Sequence, residues 1–152
     1  MPEITPFLWY DNQAEEAANY YASVFPDSRV TDVNRGPDGK AFVVGFELEG
    51  QRVLALNGGP DHPFTDNFSF LISCEGQEQV DEYWSKLTDG GEEGPCGWLK
   101  DRFGLSWQVV PTELPRLMGD PDPERAGRVG QALRGMTKID IQALRDAADG
   151  KP

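Results

Sequence analysis

The sequence predicts an α+β chain made of two copies of a strand–helix–strands module followed by a helical tail. Three observations carry this expectation. A strand-then-helix pattern restarts after a Gly/Pro/Asp-rich joint, helix-face residues repeat at a fixed spacing, and capped amphipathic segments follow Pro111.

The first strand reads Ile4 to Tyr10, rich in Phe, Trp and Tyr. Asn12 is an expected N-cap, with Glu15 at capping-box spacing. Ala14, Ala17, Ala18, Tyr21, Val24 and Phe25 then fall on one helical face, and Pro26-Asp27-Ser28 stops the helix. Three strands are expected next, at Arg29–Asn34, Ala41–Leu48 and Gln51–Asn57. Gly36-Pro37-Asp38-Gly39 and Glu49-Gly50 are the turns between them. The first half therefore reads β-α-β-β-β. Residues 58–67 form the joint. Phe68–Ser73 opens the second half as a strand, and Val80, Tyr83, Trp84 and Leu87 share a helix face that ends at Asp89-Gly90-Gly91. Shorter strands are expected near Gly97–Lys100 and Leu105–Val110.

A constant offset of 63 overlays the two halves: Phe7-Leu8 on Phe70-Leu71, Glu15 on Glu78, Ala17 on Val80, Tyr20-Tyr21 on Tyr83-Trp84 and Val24 on Leu87. Strand and helix face are expected to match without a gap. In the tail, Thr112 is positioned to cap a turn carrying Leu114, Leu117 and Met118, closed by Gly119. Asp122-Pro123 reads as an N-cap with proline at the first helical position, ahead of Ala126, Val129, Leu133 and Met136. Asp140 is placed to cap a last helix, with Ile139 and Leu144 at the spacing of a hydrophobic staple. These apolar faces must be covered by the sheet of the same chain or of a partner. The expected organisation is one domain over 1–152, with module one at 1–57, module two at 68–111 and the tail at 112–149.

Composition narrows the functional classes. The net charge is −12, from 26 acidic and 14 basic residues. A field of that sign repels nucleic-acid backbones and anionic membranes, and no basic patch offsets it. No apolar run approaches the ~20 residues that cross a bilayer. The N-terminus has neither a basic n-region nor an apolar h-region, so no signal peptide is expected. Cys74 and Cys96 form no CxxC, which points to a reducing cytosol rather than a disulfide framework.

Four segments carry a resemblance over nearly the whole chain: ITPFLWYDNQAEEAANYYASVFPDS, FSFLISCEGQEQVDEYWSKLTDGG, CGWLKDRFGLSWQVVPTELPRLMGDPDPERAGRV and MTKIDIQAL. The most specific piece runs from Trp98 to Gln108. The chain resembles the PhnB-like branch of the vicinal oxygen chelate superfamily, which also holds glyoxalases, extradiol dioxygenases and bleomycin-resistance proteins. That branch carries the family name 3-demethylubiquinone-9 3-methyltransferase. The resemblance implies paired modules that curl into a mixed sheet around a concave cavity, and a homodimer. It also implies four inward side chains, usually His, Glu or Gln, that hold a divalent metal against vicinal oxygens of a substrate.

Carried over residue by residue, the four positions fall on Thr5, Asn57, Ser69 and Gln108. None is an imidazole, a thiolate or a carboxylate, and neutral oxygens alone bind transition metals poorly. No tightly held metal is expected. The single histidine, His62, lies in the joint as an acid/base or stray ligand at the cavity rim, or as an exposed loop residue. A methyltransferase activity lacks its cofactor signature: Asn57-Gly58-Gly59-Pro60 leads into a Pro/Asp loop instead of a helix. No GxSxG elbow is present, and Cys74, at a strand end, reads as a packed thiol.

The leading expectation is small-molecule binding. Gln108 would orient a polar group, Asn57 and Ser69 would assist, and Thr5, Trp9, Phe46, Phe70 and Trp98 would line the site. If Gln108 faces the cavity, Trp107 faces the helices. The alternatives are an enzyme acting on a vicinal-oxygen substrate, metal-dependent or metal-free, and a structural dimer whose cavity its own side chains fill.

Overall fold

In the computed structural model, which describes residues 1–152, the chain divides into two compact units, Met1–Pro63 and Phe64–Pro152. The first holds β1 (Phe7–Tyr10), α1 (Ala14–Val24), β2 (Ser28–Arg35), β3 (Ala41–Leu48) and β4 (Gln51–Asn57). These strands form one sheet in the order β1-β4-β3-β2. β1 runs parallel to β4, and the other pairs are antiparallel.

Strand alternation sorts this sheet into two faces. Leu8, Tyr10, Val44, Phe46, Val53 and Ala55 are buried toward α1, which presents Ala14, Ala17, Ala18, Tyr21 and Val24 to them. Tyr10 and Tyr21 share a hydroxyl–hydroxyl hydrogen bond of 3.0 Å inside this core. The opposite face carries Phe7, Trp9, Val43, Leu54 and Leu56, in register with one another. The expected cap at Asn12 does not form. The helix begins after Gln13, which makes no side-chain cap. Asn57, distant in sequence, does the work: its Oδ1 accepts from the Ala14 N–H at 2.8 Å.

The second unit holds β5 (Ser69–Cys74), α2 (Gly76–Thr88), β6 (Glu92–Glu93), β7 (Trp98–Lys100) and β8 (Ser106–Pro111). Three helices follow: α3 (Glu113–Met118), α4 (Pro123–Arg134) and α5 (Ile141–Ala148). The sheet order is β5-β8-β7-β6, with β5 parallel to β8. β6, two residues long, was not foreseen; a strand that short has no alternation to read.

The offset of 63 does not run through both elements without a gap. It holds for the helices, where Ala17, Tyr21 and Val24 occupy the buried places of Val80, Trp84 and Leu87. It fails for the strands. Leu8 is buried but Leu71 is 53% exposed, and the core positions of β5 are Ile72 and Cys74. Strand equivalence therefore runs at an offset of 64, because the second β-α connection is a residue shorter. Since strand side chains alternate, that single residue moves each strand position to the opposite face.

The tail packs within the second unit. Val129, Ile139, Leu144 and Ala148 form a buried cluster with Leu114, Leu117, Ala132, Leu133 and Met136 around it. Asp122 and Asp140 cap α4 and α5 through the N–H groups of Glu124 and Ala143. Thr112 makes no side-chain cap. The staple residues Ile139 and Leu144 are both fully buried. The Cys96 and Gly97 N–H groups donate to the Met136 and Thr137 carbonyls at 2.8 Å. A side chain at Gly97, where φ is +83°, would meet Ile139 Cδ1 at 2.8 Å, so glycine lets the tail approach the sheet. No helix is long and apolar enough to cross a membrane.

Candidate ligand-binding site

The second sheet turns Phe70, Ile72, Trp107 and Val109 toward its helices, and its other face is built in rows. Across β5, β8 and β7, Ser69 pairs with Ser106 and Ser106 with Lys100, while Leu71 pairs with Gln108 and Gln108 with Trp98. Glu92 on β6 continues the first row beside Lys100. Gln108 thus stands between an aliphatic and an indole side chain. Its Nε2 donates to the neighbouring Ser69 Oγ at 3.0 Å, while its carbonyl end makes no hydrogen bond within the chain. Both residues are half-buried. Ser106, 1% exposed, donates from its hydroxyl to Asp66 Oδ1 at 2.7 Å and so holds that carboxylate over the same face. Beside these residues lies a cavity of about 280 Å³, lined by Asp66, Trp98, Lys100, Glu92 and Pro95 among others.

The turn between β7 and β8 fixes this face. Asp101 is 3% exposed. Its Oδ1 accepts from the Phe103 and Leu105 N–H groups, and its Oδ2 accepts from Trp107 Nε1 at 2.8 Å. Trp107 is thereby held on the helix side, as alternation requires when Gln108 takes the open face. Neither Asp101 nor Asp66 was singled out from the sequence. Asp101 does stand inside the Trp98–Gln108 run, but Asp66 looked like one more polar residue of a joint.

The remaining candidates separate. Ser69, Gln108 and Trp98 come together on one face. Asn57 is withdrawn from the ligand set: its Oδ1 caps α1 and its Nδ2 donates to the Ala41 carbonyl at 3.0 Å, so both ends of the amide serve the backbone. Phe46 is withdrawn too, since it is fully buried against Tyr21 on the helix side of the first sheet. Phe70 packs on Trp107 with ring centroids 5.1 Å apart, which places it with the core of the second sheet. Thr5 lies ahead of β1 and reaches only Glu3. Trp9 is on the open face of the first sheet, but its Nε1 donates to the Gly59 carbonyl at 2.9 Å and its ring meets His62 at 4.3 Å. A side chain at Gly58 would overlap the indole at 2.4 Å. The joint is thus folded onto Trp9, and His62 is an exposed loop residue whose ring is tilted against the indole.

The residues present do not fit a divalent metal. No group of three or more His, Cys, Asp or Glu side chains is arranged to hold one. Of the four carried-over positions, Asn57 is committed to backbone groups, and Ser69 and Gln108 are neutral and bonded to each other. Cys74 offers no thiolate either. Burial pushes its thiol up to about 11, against a smaller opposing effect of a hydrogen bond from the Val110 backbone.

Two β-α-β-β-β units, each with its helix packed on its own sheet, are the α+β modules of glyoxalase type. The chain belongs to the 3-demethylubiquinone-9 3-methyltransferase family, whose match spans residues 2–110. It is similar to a PhnB protein from Bacillus cereus, at 29% identity over 73% of this chain and 100% of that one, with a TM-score of 0.66. It also shares its fold with the fosfomycin resistance protein FosX from Listeria monocytogenes, at 18% identity over 76% of this chain and 97% of that one, TM-score 0.54. A glyoxalase/bleomycin resistance/dioxygenase domain from Frankia matches at 13% identity over 73% and 92%, TM-score 0.50. A comparison with the curated proteins finds no match.

Proposed function

We propose that the protein binds a small organic molecule on the open face of its second sheet, without a tightly held metal. The observation that carries this reading is the Gln108–Ser69 pair, an amide oriented by a hydroxyl between Leu71 and Trp98. An oriented amide among apolar walls, next to a cavity, is the usual composition of a small-molecule site. The donor set supports the metal-free part, because neutral amide and hydroxyl oxygens supply little affinity for transition metals. The reading includes a homodimer in the cytosol. Exposed apolar side chains such as Phe7 and Leu71 support association, and light scattering showing a strict monomer would remove that part.

The test is a thermal-shift screen of small molecules and divalent ions against wild type and Gln108→Leu. Organic ligands should raise the melting temperature of wild type and not of the variant, while no ion shifts either. A stoichiometric metal in protein purified without chelators, or one ion giving a large shift, would replace this reading with a metal-dependent enzyme on a vicinal-oxygen substrate.

A further inference from the structure

Resting on that reading, the charges around Gln108 name the class of ligand. The charged groups on this face are few. Lys100 and Glu92 are cross-strand partners of opposite sign, β8 carries no charged residue, and Glu93, which also lines the cavity, accepts a hydrogen bond from Trp84 Nε1. Asp66 remains without a cation of its own: its hydrogen bond comes from the neutral hydroxyl of Ser106. Ser106 and Gln108 are alternate residues of β8 and point the same way, so their Cα atoms lie roughly 7 Å apart along the strand. The carboxylate that Ser106 holds is therefore within the span of one small molecule seated on Gln108. Trp98 flanks Gln108 and also lines the cavity that Asp66 borders.

We infer that Asp66 selects the ligand's charge, and that the site takes a small organic cation: an ammonium group toward Asp66, a flat or apolar body against Trp98, and a polar group on the Gln108 amide. The indole face adds attraction for a cation. An oxyanion is disfavoured on the same grounds. Its recognition needs clustered Arg or Lys, and here the single lysine is opposed by Glu92 on a chain of net charge −12.

Three probes that share a body but differ in charge test this: benzylamine, benzyl alcohol and benzylphosphonate, titrated against the whole protein by calorimetry. Benzylamine should bind about tenfold more tightly than the alcohol, the difference a charge-assisted hydrogen bond makes, and the phosphonate should bind most weakly. Asp66→Asn keeps an acceptor for the Ser106 hydroxyl, so the fold is retained. In that variant the amine should fall to the level of the alcohol. Equal or tighter binding of the alcohol or the phosphonate by wild type, abolished by Gln108→Leu, would overturn the charge assignment and leave the site reading standing. An amine preference that survives Asp66→Asn would remove Asp66 as its cause. Binding of none of the three would overturn the inference, and the ligand screen with Gln108→Leu would then decide the site reading separately.

Discussion

Asp101 is a carboxylate taken almost wholly out of water and given three N–H donors in return. Such a group is costly to disturb, because each donor left behind is buried and unpaired. Asp101→Ala should destabilise the protein by roughly 2–4 kcal/mol in urea unfolding, and a cost below ~1 kcal/mol would show that water replaces the carboxylate. Cys74 makes a different prediction. Its thiol stays protonated in the folded protein up to about 11, well above its ordinary 9.0. Between those values unfolding releases a proton, so raising the pH favours the unfolded chain. The contribution is whole below the ordinary thiol value and is lost as the pH rises through the folded one. The melting temperature should fall across that alkaline window, less steeply in Cys74→Val. At pH ~8 a thiol reagent should label Cys96 and spare the buried Cys74 until denaturant is added.

At the scale of elements, most of the fold was legible because periodicity reports burial. β3 and β4 lie where the pattern put them, at Ala41–Leu48 and Gln51–Asn57, and both helix faces were read from spacing alone. What misled was an assumption of equal spacing. Phe70-Leu71 looks like Phe7-Leu8, yet a shorter connection reverses which of the pair is buried, and no local composition announces it. The site was half legible for a related reason. Ser69, Trp98 and Gln108 are read by alternation within strands, whereas the roles of Asn57, Asp66 and Asp101 depend on contacts made after folding. The tail's anchor is another such contact. Gln77 on α2 donates to the Ile139 carbonyl and accepts from the Ile141 N–H, at 2.9 and 2.8 Å, bracketing the start of α5. Gln77→Ala leaves both groups without their partner and should cost about 1–3 kcal/mol. Hydrogen exchange should show faster opening at the start of α5 with residues 1–63 unchanged; equal acceleration everywhere would mean that α5 is not the element Gln77 secures.

Across the whole molecule the charge is unevenly shared. Residues 112–152 carry seven acidic and seven basic side chains, so the entire net charge of −12 resides in residues 1–111. Three of the tail's seven cations are tied to carboxylates: Arg125 to Asp120 and Asp149, Arg145 to Glu113, and Lys138 to Asp81 of α2. A hydrogen bond from Gln77, and after it one from Lys138, holds the Asp81 carboxyl below its ordinary range; Arg145 does the same for Glu113, and for Asp120 a backbone N–H at Asp122 is the larger cause. Salt acts on the two parts in opposite directions. It weakens the exposed ties, each worth little in water, and it screens the repulsion among the unbalanced carboxylates, which acts over the Debye length of about 30 Å at 0.01 M and about 10 Å at 0.1 M. Because the ties are individually small and the repulsion is summed over an excess of like charges, screening should win. The melting temperature should rise by a few degrees between ~0.01 and ~0.5 M sodium chloride. A fall over that range would mean that the ion pairs of the tail, and not the acidity of the two modules, dominate the electrostatics of folding.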